Sequence, residues 1–194
     1  DVPELPAEGS LLPSTYDFEW GAERAAIVER MREAMDTALA KAWEARAEGL
    51  PLANPAEMLI LASIVEKETG LSGERAEVAG VFINRLRRGM KLQSDPTTIY
   101  AVTRGKGVLG RGLKRSELAK KDPYNTYHTA ALPPGPIANP GEAALMAVAQ
   151  PAETDAIFFV ADGTGGHAFA KTLAEHNRNV ARWRKIERKR RASQ

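Results

Sequence analysis

The chain has 194 residues, with 27 Lys or Arg against 25 Asp or Glu, 43% hydrophobic residues and no cysteine. That is enough apolar material for one sizeable core, and the near-balance of charge sets up no global field that would name a partner. The absence of Cys excludes a disulfide framework and a thiolate site, and no apolar run reaches the roughly 18–20 residues of a bilayer span.

Residues 1–20 are rich in Pro, Gly and Ser and read as an extended lead-in. Residues 23–47 carry Ile27, Met31, Met35, Leu39 and Trp43 at four-residue spacing, which predicts a long amphipathic helix with that stripe packed in the core. Gly49-Leu50-Pro51 ends it. A second helix opens with Asn54 as cap, Pro55 in the first helical position and Glu57 completing a capping box. It runs on through Ile60-Leu61-Ala62-Ser63-Ile64-Val65-Glu66-Lys67-Glu68-Thr69. At about 100° per residue, Glu68 projects between Leu61 and Ile64, on the face that also holds Val65. An ionised carboxylate there costs free energy, so its pKa should rise above the reference of about 4.3. Such an acid keeps its proton near neutral pH and can donate it. Glu66 lies beside Leu59, and periodicity alone does not choose between the two acids.

A third helix is expected over residues 73–88, stopped by Gly89. Asp95 would cap a short helix whose first residue is Pro96. The Gly-rich, basic segment 105–121 reads as an irregular connection. Residues 140–149 make a short helix capped by Asn139. Ala156-Ile157-Phe158-Phe159-Val160 is a strand, residues 163–166 a turn, and a second strand surrounds His167-Ala168-Phe169. Thr172 and Glu175 form a capping box for the last helix. The fold class expected is α+β, a mostly helical domain over residues 21–186 with a small antiparallel β element. Residues 187–194 are a basic end that should fray. No internal repeat is present.

Several blocks follow in fixed order after the Glu68 helix. They are Ser72-Gly73-Glu74-Arg75, Val78-Ala79-Gly80-Val81-Phe82-Ile83-Asn84-Arg85-Leu86 and Gly89-Met90-Lys91-Leu92-Gln93-Ser94-Asp95-Pro96-Thr97. Next come Tyr124-Asn125-Thr126-Tyr127, Leu132-Pro133-Pro134-Gly135-Pro136-Ile137 and Asn139-Pro140-Gly141. The series ends with Phe159-Val160-Ala161-Asp162-Gly163, Gly165-Gly166-His167 and His176-Asn177. From about Glu8 to Arg184 the chain closely resembles the endolytic murein transglycosylases (the MltG or YceG-like family). Ala131 departs from the family pattern, which has Gly there; the change adds a methyl group and removes no chemical group.

The resemblance implies a catalytic acid at the Glu preceding the small hydroxyl residue, which is Glu68 beside Thr69. It implies peptidoglycan glycan strands as substrate, cut at the MurNAc-GlcNAc β-1,4 bond during wall assembly. Ordinary glycosidases place two carboxylates about the bond. In a lytic transglycosylase the sugar's own C6 hydroxyl displaces the leaving chain, so one Glu acts first as acid and later as base. The product is a 1,6-anhydroMurNAc end, and no metal or organic cofactor is needed. Wall-synthesis proteins are the implied partners, and the implied location is the bacterial inner membrane with the catalytic domain facing the periplasm. An N-terminal anchor and a further small domain, both outside this sequence, complete the family pattern. The chain begins with Asp1, not Met, and reads as a fragment.

The resemblance also gathers a sugar-binding set: Gln93, Asp95, Asn125, Thr126 and Tyr127. Amide and hydroxyl groups suit sugar hydroxyls and N-acetyl groups, and Asp95 is the alternative second carboxylate. Asn84 and Arg85 either orient Glu68 or pair on the surface. His128, His167 and His176 lack close metal-ligand spacing and a partner Cys, which argues against zinc. No nucleophile elbow, GxGxxG or phosphate loop is present. The run Arg178, Arg182, Arg184, Lys185, Arg188, Lys189, Arg190 and Arg191 supports a rival reading, a basic module that binds nucleic acid or an anionic surface without catalysis. The enzyme reading expects no nucleic-acid partner.

Overall fold

A computed structural model of the chain describes residues 5–192; the outermost parts of the lead-in and of the basic end, residues 1–4 and 193–194, lie outside the described residues. The architecture is mostly helical with one two-stranded antiparallel sheet. Helix α1 (Arg24–Glu44) contributes a buried line of Met35, Ala38 and Ala42, with Leu39 and Trp43 half-buried beside it. Helix α2 (Pro55–Glu68) is the centre of the domain. It packs on α1, on α3 (Arg75–Arg87), on α4 (Asp95–Thr103) and on α6 (Glu142–Ala149). A helix covered on every side has no reason to be amphipathic, which is why its sequence is apolar nearly all round. Met58, Leu61, Ile64 and Val65 are fully buried, each such side chain contributing roughly 1.5–3 kcal/mol.

The local signals behave as their chemistry requires. Asn54 Oδ1 accepts from the Glu57 N–H at 3.0 Å, while the Glu57 carboxylate reaches one residue further back than a standard box, to the Ala53 N–H at 2.7 Å. Gly89, at φ 62°, ends α3 in a Schellman motif: its N–H bonds to Leu86 O and the Met90 N–H to Arg85 O. Thr172 and Glu175 do form the box that opens α7 (Leu173–Ala192).

Some expectations fail for local reasons. Asp95 is not a cap: it is the first residue of α4, and Ser94 takes the capping position. Asn139 does not cap α6 either. Pro140 holds Asn139 out of the helical region, its Oδ1 accepts from the Leu11 N–H, and Gly141 precedes the first turn. Segment 105–121 contains one helical turn, α5 (Arg115–Leu118). The described part of the lead-in has no helix or strand, as expected of an irregular segment, and packs through Leu12, which is buried and whose N–H bonds to Met31 O at 3.0 Å. In the described part of the basic end, α7 runs on to Ala192.

Strands β1 (Phe158–Ala161) and β2 (His167–Ala170) pair with Phe159 opposite Phe169 and Ala161 opposite His167. The chain reaches β1 by lying directly on α3. The side-chain amide of Asn84 donates to Thr154 O and Ala156 O, and a Cβ on Gly80 would stand 2.7 Å from Ala152 O. Gly80→Val is therefore expected to lower stability by roughly 1–3 kcal/mol through overpacking, read as a lower denaturant midpoint at unchanged slope. An unchanged midpoint would mean that segment 151–157 is free to shift. Helix α7 packs on the two strands and buries no residue completely. Among the described residues no helix is long and apolar enough to cross a membrane.

Candidate active site

Glu68 is the last residue of α2 and opens into a cleft of about 540 Å³. One side of that cleft is helical-domain surface: Arg85 from α3, then Leu92, Gln93 and Asp95, then Tyr127. The other is built by the hairpin and α7, through Phe158, Phe159, His167, Leu173, His176, Val180 and Trp183. The lining thus combines polar groups with aromatic and aliphatic ones, matching the hydroxyls and the C–H face that a sugar ring offers.

Burial pushes the Glu68 carboxyl up from 4.5 to about 7. The Ser94 hydroxyl, donating to Glu68 Oε2 at 2.7 Å, pulls the other way; nearby Asp95 adds to the rise, and His167 and Arg85 oppose it. Desolvation wins, so the proton is held near neutral pH. Glu66 points elsewhere, its Oε2 accepting from the Gly141 N–H at 3.2 Å.

Buried Arg85 shapes the helical-domain side through backbone. Its Nε donates to Ile157 O at 2.7 Å, and one terminal nitrogen donates to Leu92 O at 2.7 Å, Lys91 O at 3.1 Å and Gln93 Oε1 at 3.3 Å. The side chain therefore ties the entry to β1 to the turn at Gln93, which adopts a left-handed φ of 52° unusual for a residue with a Cβ. Arg85 neither pairs on the surface nor bonds Glu68; Asn84 turns away to the 154–156 segment.

The five residues of the sugar-binding set divide. Gln93, Asp95 and Tyr127 line the cleft with Glu68, and the Tyr127 hydroxyl donates to Asp95 Oδ1 at 2.6 Å. Burial and then Asp95 raise the Tyr127 pKa, so the phenol keeps its proton. Asn125 and Thr126 do not reach the cleft. Both are completely buried. The Asn125 amide is spent on Leu118 O, Lys120 O and the Thr98 hydroxyl, and Thr126 on the Ser94 N–H and Thr97. Full satisfaction of their polar atoms leaves neither free for a ligand.

Sequence reasoning left Ser94, Phe158, His167, His176 and Trp183 outside the site. His176 stacks on Phe158 at 5.1 Å and its Nδ1 is buried with no partner among the described residues. Burial, then Arg85, lowers its pKa. The one local signal was the alternation His167-Ala168-Phe169, which puts His167 and Phe169 on one face of a strand.

The sequence pattern of the YceG-like family matches residues 2–182. The chain is 34% identical over 174 residues to a Bacillus subtilis (strain 168) protein named endolytic murein transglycosylase, covering 89% of this chain and 47% of that one. It is 35% identical over 180 residues to the Streptococcus pneumoniae serotype 2 protein of the same name, covering 90% and 32% respectively. The chain thus spans less than half the length of these curated relatives. A crystal structure of a yceG-like protein from Listeria monocytogenes superimposes with a TM-score of 0.75 at 36% identity, covering 88% of this chain and 54% of that one. This chain belongs to the YceG-like family.

Proposed function

We propose that this chain carries the catalytic part of an endolytic peptidoglycan lytic transglycosylase. The observation that carries the reading is a carboxylic acid whose pKa is raised to about 7, standing in an open cleft lined by both polar and aromatic side chains. The names of the relatives support the same activity.

In this reading Glu68 gives its proton to the bridging oxygen of a MurNAc-GlcNAc β-1,4 bond. The C6 hydroxyl of the same MurNAc closes on C1, and the strand ends in 1,6-anhydroMurNAc. Gln93, Asp95 and Tyr127 hold sugar hydroxyls and N-acetyl groups so that C6 faces C1, while Asn125 and Thr126 fix the loop from beneath. Asp95 serves as a binding group: its hydrogen bond to Tyr127 supports that role over nucleophile or base. The biological setting is assembly of the wall, with the chain held at the inner membrane facing the periplasm and wall-synthesis proteins as neighbours. The rival reading as a basic binding module is weaker because α7 gives Leu173, Val180 and Trp183 to the Glu68 cleft.

Digestion of purified glycan strands in heavy-oxygen water tests the chemistry. New ends should be anhydro-muramyl and carry no solvent oxygen. Labelled reducing ends would instead mean a hydrolase, with Asp95 recast as the second acid.

A further inference from the structure

His167, which lines the Glu68 cleft, is paired with a carboxylate that the reading above leaves idle. Glu74 closes the 3₁₀ turn Ser72–Glu74, and His167 opens β2, 93 residues later. Glu74 Oε1 accepts from the His167 backbone N–H at 2.9 Å, and Oε2 lies 2.9 Å from His167 Nδ1. The two side chains are only 15% and 20% exposed. Gly166 is what lets the carboxylate in, since a Cβ there would fall 2.4 Å from Glu74 Oε1. Phe159 and Phe169 both meet the imidazole edge to face, with ring centroids at 5.2 and 6.4 Å, and restrict its rotation.

A carboxylate against Nδ1 fixes the tautomer. Nδ1 carries the hydrogen, and in the neutral ring Nε2 offers a lone pair. Nε2 bonds to none of the described residues, and His167 lines the same cleft as Glu68. Carboxylate, imidazole and hydroxyl in sequence is the arrangement by which hydrolases activate a serine. Among the described residues the cleft lining includes no Ser or Thr, and the neighbouring Ser94 hydroxyl is given to Glu68, so no side-chain hydroxyl is offered to His167. Under the transglycosylase reading the substrate brings its own nucleophilic hydroxyl.

We propose that His167, held by Glu74, is the base that takes the proton from the C6 hydroxyl of the scissile sugar. The inference rests on the reading above and divides between two side chains the duties that the family resemblance gave to Glu68 alone. The bond from O6 to C1 forms, on the face that the leaving chain vacates because both linkages are β, once the bond from C1 to the leaving oxygen has broken. The bonding pair goes to that oxygen, which receives the Glu68 proton, and the O6 proton passes to His167 Nε2. Exchange with solvent then returns a proton to Glu68 and removes one from His167. His167 is a catalytic residue in this scheme and Glu74 a positioning residue.

The test compares His167→Ala and Glu74→Gln with the parent chain at saturating glycan, counting anhydro ends by mass spectrometry. His167→Ala is expected to lose ~10²–10⁴-fold in turnover with strand binding retained. Glu74→Gln should lose at least about tenfold, because a side-chain amide no longer enforces the tautomer. Added imidazole should restore part of the His167→Ala rate and none of the Glu68→Gln rate. A His167→Ala chain that turns over within a few-fold of the parent overturns the proposal. So does a loss that imidazole does not relieve in a chain that melts and binds strands like the parent. If His167→Ala fails to fold, His167→Gln is scored on turnover in its place. Heavy oxygen in the product ends, or an active Glu68→Gln, would sink the transglycosylase reading itself. Unlabelled anhydro ends at parental rate from His167→Ala would sink only the base.

Discussion

Glu68→Gln is expected to lower glycan cleavage by ~10²–10⁴-fold while leaving the fold intact, since Gln keeps the shape and the Ser94 contact but has no proton to give. Glu66→Gln is the control and should retain substantial activity, because its carboxylate is engaged with the Gly141 N–H away from the cleft. Parental kcat/KM should fall as pH rises through about 7, where Glu68 loses its proton; a rate still climbing at pH 9 would refute Glu68 as the acid. The same shift governs stability. A carboxyl raised from 4.5 to about 7 contributes stability that is complete below about pH 4.5 and is lost as pH rises through 7. Gln does not ionise, so the inactive variant should be the more stable chain at pH 9, by on the order of 3 kcal/mol, and about equal to the parent at pH 4. Denaturant melts of both proteins at the two pH values check this. An equal stability difference at both would mean that Glu68 titrates normally.

Arg85→Met is expected to cost on the order of 3 kcal/mol, because it leaves Ile157 O and Leu92 O without their charged donor. Arg85→Lys should recover little, since a single ammonium does not span carbonyls on two different segments. Activity should fall with stability in both variants, as the Gln93 turn loses the contact that orients it. Urea unfolding together with turnover at saturating strand reads both effects. A stable Arg85→Met chain with unaltered turnover would show that the turn holds itself.

Local rules reached far into this fold. The Asn54 cap, the stop at Gly89, the hairpin and the Thr172–Glu175 box each depend on residues within a few positions of one another, and each is visible as a motif. Helical period sets Glu68 beside Leu61 and Ile64, though by itself it does not choose between Glu68 and Glu66. What lay beyond reach was non-local. Asn125 resembles a sugar ligand in sequence, yet its amide is consumed by α5 and α4, a fact that depends on how the 105–121 segment folds back. Asp95 has the composition of a cap, but the left-handed turn at Gln93 moves the helix start and frees its carboxylate for Tyr127. Glu74 and His167 come together only when the hairpin folds onto the start of α3.

One property of α2 ties its geometry to the proton it guards. Glu68 ends that helix, so its carboxylate stands where the unpaired carbonyls of the final turn gather a partial negative charge of about half an electron. A second negative charge is unwelcome at that pole, and the helix as a whole biases the side chain toward its neutral form. Asn54, at the opposite end, accepts a hydrogen bond from the positive pole instead. The polarity of a single helix thus separates a place where a lone pair is held from a place where a proton is kept, and the acid occupies the second.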